Sequence, residues 1–138
     1  MSQIKTEEEI KIMAEGGKIL AEPGITTLEL DRASEALILK RGAKPAFKGY
    51  ERFPYSLCAS VNDVIVHGFP SNYRLKDGDV VGLDLGVLWK GYNTDMAVTV
   101  AVGEVSFEAK RLLQVTKKAL RLGIKKARDG ITPGGLGN

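Results

Sequence analysis

Between Asp79 and Val102 the chain reads D-V-V-G-L-D-L-G-V-L-W-K-G-Y-N-T-D-M-A-V-T-V-A-V, two apolar runs that meet at Lys90-Gly91. β-Branched runs around such a turn predict a tight β-hairpin, which leaves the rest of the chain only its faces and edges to pack on. Each predicted strand carries one acid, Asp84 and Asp95. Carboxylates are rarely buried unless paired or bound to a cation, so both need a physical reason.

With Lys90 and Gly91 as the loop, Trp89 faces Tyr92, and Asp84 and Asp95 fall on diagonal positions of one face. A four-residue loop would set them directly opposite. Diagonal neighbours lie about 7–8 Å apart, close enough for both carboxylates to reach one ion or an ion pair. Alternation places Val81, Leu83, Leu85 and Val87 on one face, and Asp84 with Val80, Gly82, Gly86 and Leu88 on the other. The two glycines leave room beside the acid. Two edge-strand acids turned to solvent would produce the same period.

The remaining sequence has the proportions of one ordinary globular domain: 138 residues, 43% hydrophobic and 27% charged. A net charge of +3 comes from Lys and Arg scattered along helices, which reads as solvated faces and argues against nucleic acid. The first residues, M-S-Q-I-K-T-E-E-E, carry no apolar signal segment, and no apolar run reaches membrane-spanning length. Cys58 is the single cysteine, so an intrachain disulfide is excluded and a reducing cytoplasm is expected.

Two capping boxes, Thr6-Glu7-Glu8-Glu9 and Thr26-Thr27-Leu28-Glu29, predict two helices, the second with Leu30, Ala33 and Leu37 inward. Short strands are predicted over Ser56 to Val61 and Val64 to His67, turning at Asn62-Asp63. Ser106 caps a long helix with Ala109, Leu112, Leu113, Leu120, Ile124 and Ala127 on one side and basic residues opposite. The tail I-T-P-G-G-L-G-N is expected to form no regular element. Gly24-Ile25-Thr26, with Leu30 further on, recurs as Gly130-Ile131-Thr132 with Leu136, which raises one repeat followed by the start of another at about 129–138.

His67 is the only histidine and ends an apolar segment before Gly68-Phe69-Pro70, where a chain leaves a sheet. A lone histidine serves more often as a hydrogen-bonded structural residue than as a ligand. Cys58 has no second histidine or evident base to activate it, so pocket lining suits it better than nucleophilic attack. Phe47, Tyr50, Phe53, Tyr55 and Phe69 are dense for a loop region; they fit either a core or the wall of an apolar pocket. No phosphate-binding glycine loop, cysteine zinc motif or catalytic triad is present.

In combination, P-G-I-T-T-L-E-L-D (Pro23 to Asp31), R-G-A-K-P-A-F-K-G-Y (Arg41 to Tyr50), S-V-N-D-V-I-V-H-G-F-P (Ser60 to Pro70), L-K-D-G-D-V-V-G-L-D-L-G (Leu75 to Gly86) and G-Y-N-T-D (Gly91 to Asp95) resemble the type I methionine aminopeptidases over essentially the whole chain. The resemblance implies an α+β fold: half of a pita-bread, with an antiparallel sheet packed against about three helices. It is the N-terminal half, shortened by about three turns between Ala21 and Pro23. By that resemblance Asp84 and Asp95 are metal ligands, His67 is catalytic beside the scissile bond, and Phe47, Tyr50, Phe53 and Cys58 form the methionine pocket. The family's remaining ligands, a histidine and two glutamates, and its second catalytic histidine belong to the other half. Glu51 stands where a histidine is often found, and Thr94 where glycine is usual.

The resemblance further implies a metallo-aminopeptidase (a hydrolase) using one or two divalent ions, Mn, Co or Fe, for which oxygen donors are suited. Its substrates would be peptides with N-terminal methionine, whose thioether suits a pocket of aromatics and a sulfur. A half fold exposes an apolar face that a twofold homodimer would cover, sharing its metals across the axis. The other reading is a non-catalytic metal-binding or dimerising scaffold, a truncated or engineered half. Neither reading involves nucleic acid or membrane.

Overall fold

The structure, a computed structural model, describes residues 23–137. The helix expected from Thr6 and the shortening after Ala21 lie outside the described residues. One compact unit ends at Val105 and a second begins at Ser106.

In the first unit the predicted hairpin forms with the expected register. β3 (Val80–Trp89) and β4 (Tyr92–Ala101) pair antiparallel from Val80–Ala101 to Trp89–Tyr92. Lys90 and Gly91 carry φ of 48° and 84°, the double positive φ that matches a two-residue loop to strand twist. The Lys90 ammonium lies 4.3 Å from the Trp89 ring centroid. β3 is central: β4 covers one side, while β1 (Lys44–Pro45) and β2 (Leu57–Val61) share the other, both antiparallel to it.

Helix α1 (Thr27–Lys40) starts at the second capping box: Thr26 Oγ1 accepts the Glu29 amide at 3.1 Å, and Glu29 accepts the Thr26 amide at 2.7 Å. Leu30 from this helix joins Leu57, Ala59, Leu75, Val81, Leu83 and Val102 in the core. Ala33 and Leu37 are only half-buried; Thr27, Leu30, Asp31 and Ile38 form the buried side. The stripe is rotated because Asp31 points inward, where its carboxylate accepts the amides of Ser56 and Leu57.

Two sequence expectations need correction. Val64 to His67 forms no strand. After the Asn62 turn (φ 50°) the segment leaves the sheet, and a single ladder-like bond, Ala59 N–H to the Gly68 carbonyl at 2.8 Å, marks its return. The tail does form an element, the short helix α3 (Pro133–Gly137). Proline at the first helical position and Thr132, whose hydroxyl accepts the Gly135 amide at 3.2 Å, nucleate it.

The second unit otherwise consists of α2 (Phe107–Lys126), capped by Ser106 through the Ala109 amide at 3.1 Å. Among the described residues no helix is long and apolar enough to cross a membrane.

Candidate functional site

Asp84 pairs with Ala97 and Asp95 with Gly86, so the two acids are diagonal on one face of the hairpin. On the other side of β3, Cys58 pairs directly with Asp84 and brings its thiol to that same face. Beyond β1, the Ala46 amide donates to the Gly86 carbonyl at 2.9 Å and lays Phe47 over Gly86. A Cβ on Gly86 would lie 2.5 Å from the Phe47 ring, so this glycine is required for the ring to settle beside the acids. Gly82 is not under that constraint, since a Cβ there would meet its nearest neighbours at 3.7 Å.

All seven site residues implied by the resemblance, Phe47, Tyr50, Phe53, Cys58, His67, Asp84 and Asp95, line one cavity of about 420 Å³, whereas Tyr55 is not among its lining residues. Glu51, Arg52 and Phe69 complete its wall. Phe69 stacks edge-to-face with Phe53 (centroids 5.1 Å apart) and with Tyr55 (5.8 Å), which stiffens the aromatic side. Arg52 was not foreseen. It reaches the cavity through two successive left-handed residues, Glu51 (φ 45°) and Arg52 (φ 68°), for which no sequence period gives a signal.

The electrostatics are those of a crowded anionic pocket. Burial first, and then the Asp95 carboxylate beside it, push the Asp84 carboxyl up, with His67 pulling more weakly the other way. Asp84 Oδ1 is buried without a hydrogen-bond partner. Burial, aided by both acids, raises the Cys58 thiol to about 11, so at neutral pH it is a packing group with a polarizable sulfur.

A divalent cation fits this pair in charge and in donor type. It would neutralise the two facing carboxylates and engage the orphaned Asp84 oxygen. Among the described residues no group of three or more His, Cys, Asp or Glu side chains is placed to hold an ion.

The sequence comparisons agree on one lineage. The model of metallopeptidase family M24 matches residues 8–138. Methionine aminopeptidase of Clostridium perfringens is 48% identical over 134 residues, covering 90% of this chain and 54% of that protein. Methionine aminopeptidase 1 of Bacillus subtilis is 44% identical over 136 residues, covering 91% and 55%. Among solved structures, methionine aminopeptidase from Thermotoga maritima superposes with a TM-score of 0.85 at 35% identity, covering 99% of this chain and 59% of that one. Prolidase from Pyrococcus furiosus gives 0.73 at 27% identity, covering 96% and 41%. The chain thus spans about half the length of the curated relatives it matches, and its sheet and helices form the α+β half of a pita-bread fold. With the family model matching nearly the whole sequence, the chain belongs to metallopeptidase family M24.

Proposed function

We propose that this chain is a methionine-aminopeptidase-like half domain that binds divalent metal through Asp84 and Asp95 and acts on peptides with N-terminal methionine. The observation that carries the reading is the convergence of both carboxylates, His67 and a cavity walled by aromatics and a sulfur. An unbranched thioether side chain fits such a wall better than a charged one. Phe47, Phe53 and Cys58 would hold the methionine side chain. His67, on the same wall, would donate a hydrogen bond near the scissile carbonyl and steady it. A bound divalent ion (Mn, Co or Fe, one or two) would supply a water nucleophile at neutral pH.

Two copies would associate in this reading, in the reducing cytoplasm that a lone thiol suits. The outer edge of β4 is unpaired among the described residues, Val98 on that strand is exposed, and so are Val64, Ile65 and Val66.

The test is methionine release from a Met-Ala peptide with Mn or Co supplied and a chelator as control. Release that the chelator stops and Asp84→Ala abolishes is expected; no release from metal-loaded protein would overturn the catalytic reading. One observation favours the second reading, a non-catalytic metal-binding or dimerising scaffold: among the described residues no third His, Cys, Asp or Glu side chain joins Asp84 and Asp95 in a group that could hold an ion.

A further inference from the structure

His67 stands in a backbone conformation that side chains seldom adopt, φ 56°. The three residues before it, Val64 to Val66, are exposed and belong to no strand, so no ladder holds it there. An unfavourable conformation persists only where its surroundings over-determine it. What holds the far side of His67 is Gly68, seized at both of its backbone groups by β2. Its carbonyl accepts the Ala59 amide at 2.8 Å, and its amide donates to Ser60 Oγ at 3.1 Å. The fit is close enough that a Cβ on Gly68 would collide with the Ala59 carbonyl.

Ser60 pairs with Gly82 across the ladder, which puts its side chain on the face that carries Asp84. It is buried, and its hydroxyl reaches the loop by accepting the Gly68 amide. We infer that Ser60 is a positioning residue: through the Gly68 amide it fixes where the His67 imidazole enters the cavity of Asp84 and Asp95. The inference rests on the proposed role of His67, so its test has an arm that needs no turnover.

His67 is the only histidine, so its ring gives a single set of imidazole signals in solution NMR. In Ser60→Ala those signals should shift or broaden at fixed pH while the amide signals of α1 and its Thr26 cap stay in place. Ser60→Thr, which keeps the acceptor, should restore them. In the wild type, the Gly68 amide should exchange with solvent at least tenfold more slowly than the amides of Ile65 and Val66; equal exchange rates would overturn the inference without any variant, including the case in which Ser60→Ala fails to fold. Unmoved ring signals in folded Ser60→Ala would overturn it too. In the methionine-release assay Ser60→Ala should lower kcat roughly tenfold with KM within about twofold, as expected of a displaced reacting group. Moved ring signals with unchanged kcat would remove the catalytic consequence. Moved ring signals in a protein whose wild type releases no methionine would support the placement of His67 by Ser60 and count against the aminopeptidase reading alone.

Discussion

The Asp31 carboxylate accepts the backbone amide of Leu57 at 3.0 Å, and with the same oxygen that of Ser56 at 2.8 Å. Helix α1 thereby clips the start of β2, next to Cys58 and the cavity. Asp31 is 4% exposed, so truncation would strand two amides away from water. Asp31→Ala should cost about 2–4 kcal/mol in urea denaturation, and Asp31→Asn, which keeps one carbonyl acceptor, about half as much. An unchanged midpoint in the alanine variant would show that the clip holds nothing.

Gly86→Ala tests the seat of Phe47. The added methyl would sit 2.5 Å from the ring, so the ring must move into the cavity. The expected cost is about 1–3 kcal/mol of stability together with weaker binding of a methionyl peptide. Calorimetry on the variant should register both; a variant as stable and as tight as the parent would mean that Phe47 does not rest there.

Stability should fall in acid through Asp79. Burial alone would raise this carboxyl, but hydrogen bonds from Asn62 (2.9 Å), Tyr73 (3.0 Å) and the Lys76 amide (2.9 Å) outweigh it and hold the group below its ordinary range. A depressed folded-state value gives stability that is complete above the unfolded pKa, about 3.9, and is lost as pH falls through the lower folded one. The urea midpoint should therefore drop between about pH 5 and pH 2 more steeply in the wild type than in Asp79→Asn. Parallel curves would assign the acid sensitivity elsewhere.

Metal retention should depend on both hairpin acids. After dialysis against Mn or Co and removal of free ion, the wild type should keep stoichiometric metal by elemental analysis, and Asp95→Ala should lose at least tenfold in affinity. Full retention by the variant would place the ion away from β4.

Self-association is checked by native mass. Sedimentation should give a species near twice 14.9 kDa, shifting to monomer when Ile65, 91% exposed, is replaced by Lys. A clean monomer of the wild type at high concentration would remove the homodimer.

The hairpin and the shared face of its two acids were legible because a period of two buries Val81 and Leu83 on one side and puts Asp84 and Asp95 on the other, whichever of the two loop lengths is taken. The Lys-Gly turn then favours the diagonal register. Thr26 and Glu29 were legible because a capping box is a local motif. Asp31 was not: it reads as an ordinary helical acid until its partners, distant in sequence, are folded against it. Val64 to Val66 has strand propensity, but pairing depends on a free edge, and β2 meets this loop through Gly68. Arg52 enters the cavity by backbone conformations that leave no trace in hydrophobic patterning.

Both acids stand on one hairpin closed by Lys90 and Gly91, which bears on the order of events as the chain folds. Closing so short a loop costs little chain entropy, and hairpins zip in roughly 1–10 μs. The carboxylate pair can therefore assemble before distant contacts such as Asp31 with Leu57 are made. A cation captured at that stage would staple a local ribbon and mark an early nucleus, so ion binding and global folding need not be one cooperative event.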